Sequence, residues 1–287
     1  MGRLEGKVAI ITGASLNIGG TVARFFAREG AKVACNDIKP EVAQQSADRV
    51  TEEGGDAMAI PGDVTDETYV KSAVEKVVAK WGKADVLVNA AMIVNRKGVI
   101  DMPYEEYLRQ LEVIQGGAFL FTKYVAQSLI DRELPGSIIN IISTAGWQGE
   151  PGNIGYSTAK SGMINFTRSA AMELAEYGIR VNMFTPTATQ PIDPAIIDRY
   201  RNMPAFAGRS TKFANQFLRM TPSGRLPTPE DHAPAFVFLA SDESSMMTGT
   251  EIRVDGGVTA KYWPWIPGEQ AGQPGQSLGG NITAPST

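Results

Sequence analysis

The 287-residue sequence predicts an α/β fold: a doubly wound parallel sheet with helices on both faces, in a single domain. Three observations carry this. Short apolar, β-branched runs alternate with longer segments whose apolar residues recur at helical spacing. The runs are apolar throughout rather than alternating, as strands covered on both faces are. A glycine-rich turn joins the first strand to the first helix.

Taken in order, residues 8–11 make a strand that stops at Gly13, and Ile18, Val22, Phe25 and Phe26 then mark a helix over 18–28. Residues 32–36 read as a strand and 40–53 as a helix, with Pro40 suited to its first turn. Strands at 56–61 and 85–89 flank a helix at 67–81. A long helix over 104–132 ends before Pro135-Gly136, and a strand at 137–143, a helix at 156–177 and a strand at 180–184 follow. Over 185–229 the pattern gives way to proline, polar and aromatic residues, with helical pieces expected at 194–200 and 211–219. Long irregular insertions are usually functional, so this segment is expected to bind substrate. A helix at 229–240 and a strand at 251–254 complete a catalytic domain of residues 1–257. Residues 258–287 form a C-terminal extension whose Gly, Pro and Gln content cannot build a core of its own, although Tyr262, Trp263 and Trp265 suit docking on a surface.

Composition excludes several function classes. The net charge of -4, without long runs of like charge, argues against a nucleic-acid or membrane partner. No stretch approaches the roughly 20 apolar residues of a membrane span, and the N-terminal residues enter a strand without an apolar leader core. The single cysteine, Cys35, forms no internal disulfide and fits a reducing compartment. A cytoplasmic protein is expected.

The chemistry concentrates in residues 143–160. Tyr156 and Lys160 stand one turn apart on one helix face. A lysine ammonium there lowers the phenol from its ordinary pKa of about 10 toward the range a general acid/base needs. Ser143, at the end of a strand, is placed to hydrogen-bond the reacting oxygen. Read alone, the pair more often describes a half-buried ring and a solvated charge. The turn after the first strand suits a pyrophosphate: Gly13, Ser15, Asn17, Ile18 and Gly19 bring backbone amides and a helix N-terminus to it. Alone, such a turn also describes tight packing. Asp37, at the end of the second strand, is placed to accept hydrogen bonds from an adenosine ribose and to repel a 2'-phosphate, favouring NAD over NADP, and otherwise reads as a plain loop acid or helix cap.

Six segments, in order and over residues 5–257, resemble the short-chain dehydrogenase/reductase family. They are the TGxxxxxG turn at 12–19, Asp63-Val64, Asn89-Ala90-Ala91, Ser143 with Tyr156-xxx-Lys160, Ile179-Arg180-Val181-Asn182 leading to Pro186, and Thr248-Gly249 leading to Asp255-Gly256-Gly257. The resemblance implies a Rossmann-like fold, NAD as cofactor, and hydride transfer with a secondary alcohol or ketone. Tyr156 is then the general acid/base. Lys160 contacts the nicotinamide ribose and depresses the tyrosine pKa, and Ser143 orients the substrate oxygen. Asp63 and Val64 correspond to adenine contacts, Asn89, Ala90 and Ala91 to the segment lining the ribose, and Pro186, Thr187 and Thr189 to the segment against the carboxamide. A homotetramer or homodimer built on the helices at 104–132 and 156–177 is also implied, with the aromatic tail over a neighbouring subunit's active-site mouth.

The sequence departs from that family at several positions. Asn17 replaces the middle glycine of the turn, where asparagine's tolerance of positive φ preserves the loop. Ala90 and Met92 alter the NNAG motif, and Thr187 replaces the glycine after Pro186. Ile114 stands where many relatives carry an asparagine that completes a water relay, so either Gln115 rebuilds the relay or proton exchange takes another route. A surface or subunit-contact role is the plainer reading of Gln115. The pocket wall is expected from Met92, Ile93, Val94, Trp147, Gln148 and the segment from Thr187 onward, including Phe206. Such an apolar wall suits a bulky cyclic or aromatic substrate. Arg96 either holds an acidic substrate group or is solvated. His232, the only histidine, has no ligand set beside it, and no metal is expected. A non-catalytic nucleotide-binding regulator on the same fold is the alternative, suggested by Ile114 and the altered NNAG; epimerisation or dehydration with the same cofactor is a third reading.

Overall fold

The computed structural model describes residues 2–202 and 217–261. Seven strands form one parallel sheet: β1 (Val8–Thr12), β2 (Lys32–Cys35), β3 (Ala57–Ala59), β4 (Val86–Asn89), β5 (Gly136–Ile141), β6 (Ile179–Pro186) and β7 (Glu251–Val254). They lie in the order β3-β2-β1-β4-β5-β6-β7. The period of two along a strand explains why their sequences are apolar without a break. In β1, Ala9 and Ile11 enter the core on one face, with Val22, Phe26 and Phe236. Val8 and Ile10 enter the core on the other, with Val74, Phe121 and Leu129. Burying a side chain such as Phe26 or Phe121 stabilises the fold by about 1.5–3 kcal/mol each.

Helices α1 (Ile18–Arg28) and α2 (Pro40–Glu52) follow β1 and β2, and α3 (Glu67–Trp81) follows β3. Asp66 caps α3 by accepting from the Tyr69 amide, and Gly82 ends it at φ 84°. After β4 comes α4 (Tyr104–Leu111), a π-helical turn (Glu112–Gly116) and α5 (Gly117–Ile130). Beyond β5 lie the short α6 (Thr144–Trp147), α7 (Ile154–Leu174) and a 3₁₀ turn (Ala175–Tyr177). Then β6 leads to α8 (Pro194–Asn202), and α9 (Pro229–Ala240) precedes β7.

The expected elements are present, with shifted bounds. The strand expected over 137–143 ends at Ile141, and Ser143 becomes the N-cap of α6, accepting from the Ala145 amide. The single helix expected over 104–132 is interrupted by the π turn. Of the helix expected at 211–219, residues 217–219 are helical. Its remainder, Phe206, and the tail aromatics Tyr262, Trp263 and Trp265 lie outside the described residues.

One feature of the topology positions the site. β1 pairs with both β2 and β4, so the chain winds outward in opposite directions from there. The connections leaving β1 and β4 diverge and open a crevice at their C-terminal ends, where ligands bind in such sheets.

Candidate active site

The crevice begins with a backbone cradle that only glycine permits. Gly13 has φ 62°, and a Cβ there would lie 2.7 Å from Ala91 Cα. At Gly19 a Cβ would lie 2.4 Å from the Gly13 carbonyl oxygen. Asn17 behaves otherwise than the sequence suggests. Its φ is -112°, so the turn asks for no left-handed residue there and tolerates asparagine on ordinary grounds. No side chain caps α1 and no acid occupies its first turn. Its first amides, near Ile18 and Gly19, therefore have neither intrahelical acceptors nor a competing anion.

Thr12 ties this loop to its neighbour, which the sequence reading did not foresee. Its hydroxyl oxygen accepts from the Ala90 and Ala91 amides at 3.0 and 3.2 Å. Asn89 turns inward: its Nδ2 donates to Asn140 Oδ1 at 2.8 Å and Thr122 Oγ1 at 3.3 Å. Its side chain supports the sheet beneath the loop, leaving the backbone of residues 89–91 to face the crevice.

On the other side of β1, Asp37 Oδ1 accepts from the Lys39 amide at 3.1 Å, and the Asp37 carbonyl accepts from the Gly62 amide at 3.0 Å. This joins the ends of β2 and β3. Asp63 Oδ1 accepts from the Thr65 amide and hydroxyl, and Oδ2 accepts from Arg109 Nη2 at 2.7 Å. Burial pulls the Asp63 carboxyl upward, but the bonds from Thr65 and Arg109 outweigh it and leave it below its ordinary pKa. Arg109, on α4, is a second residue the sequence reading missed. Val64 is buried where Gly117 leaves room, since a Cβ on Gly117 would lie 2.5 Å from Val64 Cγ2.

The residues expected to transfer a proton lie on α6 and α7, which pack together. Gly146 allows that approach: a Cβ there would lie 2.9 Å from the Lys160 carbonyl carbon. Ser143 Oγ accepts from the Ala145 amide at 3.1 Å and keeps its hydrogen for another acceptor. Tyr156 is half-buried. Lys160, only 2% exposed, donates from Nζ to the Ile141 carbonyl at 2.5 Å, with Nζ 5.8 Å from the Tyr156 ring centroid. Burial pushes the Lys160 pKa down from 10.5 to about 7. The ammonium is thus costly to hold and near its own titration point at neutral pH, which suits passing a proton on.

The π turn explains the departure at the relay position. Ile114, 2% exposed, packs with Ile142, Ala159 and Met163, with Trp147 and Tyr156 against the same cluster. Gln115 does not reach Lys160. Its Nε2 donates to the Ala159 carbonyl at 3.0 Å and fills the notch at Gly162, where a Cβ would lie 2.0 Å from that nitrogen. It pins the π turn to the helix bearing Tyr156 and Lys160. Gln110 makes a similar contact one step earlier, beside Gly155, and donates to Asn95 Oδ1 at 2.9 Å.

Among the pocket residues, Met92, Ile93 and Gln148 are exposed and Val94 is half-buried. Trp147 lies against the Ile142–Met163 cluster with the guanidinium of Arg253 4.6 Å and that of Arg168 5.9 Å from its ring. Arg96 is paired with Glu150 at 2.9 Å, joining the loops after β4 and α6. Beyond β6, Thr187 is buried and Thr189 half-buried. Thr189 Oγ1 contacts Nε2 of the buried His232 at 2.9 Å.

The glycine cradle, the uncapped helix and the acid after β2 fit a nicotinamide dinucleotide. When bound, it supplies the hydride acceptor or donor beside Tyr156.

Comparison with known proteins agrees. The family profile described as Enoyl-(Acyl carrier protein) reductase matches residues 13–259. The cyclopentanol dehydrogenase of Comamonas testosteroni is 34% identical over 261 residues, covering 91% of this chain and 100% of that protein. Among solved structures, a short-chain type dehydrogenase/reductase from Mycobacterium marinum superposes with TM-score 0.79 at 32% identity, over 90% of this chain and 97% of that one. A gluconate 5-dehydrogenase from Burkholderia cenocepacia, solved with NADP and tartrate, gives 0.80 at 30%, over 90% and 97%. A 7α-hydroxysteroid dehydrogenase, solved with NADH and 7-oxo glycochenodeoxycholic acid, gives 0.80 at 31%, over 89% and 95%.

Proposed function

The chain belongs to the short-chain dehydrogenase/reductase family, and on that premise we propose that it moves a hydride between NAD and a cyclic or aromatic secondary alcohol or its ketone. The observation that carries the proposal is that Tyr156 and the buried Lys160 lie together on α7, which packs against α6, whose N-cap is Ser143 beyond the C-terminal end of β5. In the oxidative direction Ser143 donates to and orients the substrate oxygen while Tyr156, as phenolate, takes the hydroxyl proton. Lys160 favours the phenolate while it carries its charge, which burial makes it hold only up to a pKa of about 7 in the free protein. Residues 1–257 act as the catalytic unit, with the described residues of the segment after β6, among them Thr187 and Thr189, forming one wall of the pocket. The exposed apolar residues Val99, Ile100, Tyr104, Leu108 and Phe119 around α4 and α5 suit a homodimer or homotetramer interface. No helix among the described residues is long and apolar enough to cross a membrane, and the proposed site of action is the cytoplasm.

NAD is preferred on account of Asp37. Asp37→Ser should lower kcat/KM for NAD and raise it for NADP, since it removes the carboxylate that accepts from the ribose hydroxyls and repels a 2'-phosphate. A combined shift of at least about tenfold, roughly 1.4 kcal/mol, is expected in the ratio. An unchanged ratio removes Asp37 from the ribose site. For the substrate, cyclopentanol-like and larger cyclic alcohols should be oxidised with kcat/KM at least about tenfold above small linear secondary alcohols, the gain of one or two buried methylenes. Equal turnover of the two classes contradicts the apolar cyclic pocket.

A second reading, a nucleotide-binding regulator without turnover, is favoured by one observation: Ile114 makes the relay position apolar and fully packed. Tight NAD binding with no turnover over a broad panel of alcohols and ketones selects it.

A further inference from the structure

His232 is the only histidine in the chain, lies in α9 and is 0% exposed. Its surroundings are apolar: the Phe184 ring meets it edge-on at 5.3 Å, and Phe236 stacks on Phe184 at 4.2 Å. An imidazole at such a position costs free energy unless its nitrogens are used. Here one is used. Nε2 lies 2.9 Å from Thr189 Oγ1, and Thr189 Oγ1 also lies 3.1 Å from the Thr187 carbonyl oxygen. The threonine hydroxyl has one hydrogen, and the carbonyl can only accept, so that hydrogen goes to Thr187. The imidazole must then donate through Nε2–H, which leaves Nδ1 as a bare lone pair, in keeping with its lack of a partner among the described residues. Burial supports the same state by pushing the His232 pKa down to about 4, against a smaller upward pull from Asp231.

The chain His232 Nε2–H to Thr189 Oγ1–H to Thr187 carbonyl spans the segment just after β6. Thr187 is 5% exposed, and its hydroxyl oxygen has no partner among the described residues. That leaves a buried polar group in this segment for a ligand to satisfy.

We propose that His232 is a positioning residue: its Nε2–H, through Thr189, holds the segment at 186–189 in the geometry that receives the carboxamide end of the nicotinamide dinucleotide. The inference rests on the proposed use of that segment and adds a buried residue on α9 that reaches no cofactor itself. His232→Phe keeps an apolar-compatible ring and removes the donor. His232→Gln replaces the donor with an amide nitrogen at a similar reach. Thr189→Val removes the hydroxyl and keeps the shape.

The experiment measures dissociation constants for NAD and for ADP-ribose, which lacks the nicotinamide, with thermal melts of every variant. Wild type should bind NAD more tightly than ADP-ribose. His232→Phe and Thr189→Val should each weaken NAD about 5- to 10-fold, the loss of one net hydrogen bond, and leave ADP-ribose within about twofold. The double variant should lose no more than either single one, and His232→Gln should recover most of the NAD affinity. Equal loss for both ligands, additive losses, or no loss in either single variant overturns the inference. If His232→Phe does not fold, Thr189→Val and His232→Gln decide: an unchanged NAD constant in Thr189→Val, or no preference for NAD over the wild type's ADP-ribose constant in His232→Gln, overturns it. Failure of wild type itself to bind NAD above ADP-ribose instead overturns the placement of the nicotinamide on which the inference rests.

Discussion

Tyr156→Phe is expected to bind NAD with wild-type affinity, melt as wild type does, and lose about 10²- to 10⁴-fold in kcat, the contribution of a positioned general acid/base. The reason lies in what the substitution removes. The ring stays half-buried beside the cluster of Ile114, Ala159 and Met163, so packing is retained. Only the phenolic oxygen, the proposed proton-exchanging group, is lost. Ser143 remains as a hydrogen-bond partner for the substrate oxygen, but the group proposed to exchange its proton is gone. Steady-state kinetics together with NAD titration separate this outcome from a binding defect.

Lys160→Met is expected to abolish turnover to a similar degree and to make the protein more stable. Lys160 is almost fully buried, and among the described residues its Nζ donates to the Ile141 carbonyl alone. An ammonium there carries a desolvation cost that the single bond does not offset. The sign follows from linkage. The folded-state pKa of about 7 lies below the ordinary 10.5, so between those values the unfolded chain holds more protons. Wild-type stability should therefore rise with pH from about 7 to 10.5 on this residue's account, and the full penalty is present below about 7. Methionine fills nearly the same volume without the charge. A gain on the order of 2 kcal/mol at pH 7, after the lost hydrogen bond, is expected, which is several degrees in Tm for a chain of this size. Melting curves at pH 7 and pH 9.5 check both the gain and the flattening of the pH dependence. A variant less stable than wild type at pH 7 contradicts the buried-cation account. A residue that lowers stability while it serves the reaction is what function-bearing positions are expected to contain.

Much of this was readable from the sequence, and the exceptions have a common cause. Strand and helix identities follow from local spacing, which is why the strand at 251–254 and the helix at 229–240 coincide with β7 and α9. The Tyr156–Lys160 pair follows from one helical turn, and the crevice follows from the glycine turn at Gly13. Contacts between segments far apart in sequence were not readable. Thr12 clasps Ala90 and Ala91 across 78 and 79 positions, and Arg109 reaches Asp63 across 46. His232 meets Thr189 across 43 positions, and Gln115 meets the Ala159 carbonyl across 44. Nothing local encodes such pairings. The glycines at 155 and 162 hold a partial signal for the last kind, because two glycines in one helix call for a close neighbour. The π turn was missed for a different reason: its residues, EVIQG, have ordinary helical spacing, and the extra residue shows only in the register between α4 and α5.

The stretch from Ser143 to Lys160 carries the central claim, namely that its side chains transfer a proton while a dinucleotide in the adjoining crevice exchanges a hydride. The direct measurement is the absorbance of NADH formed by the wild type and by Tyr156→Phe from NAD and a panel of cyclic secondary alcohols at pH 8 to 9. The account requires NADH from at least one cyclic alcohol with the wild type and at least a hundredfold less with Tyr156→Phe at equal NAD occupancy. NADH formed equally by both proteins would contradict it, as would NAD binding by the wild type with no turnover across the panel.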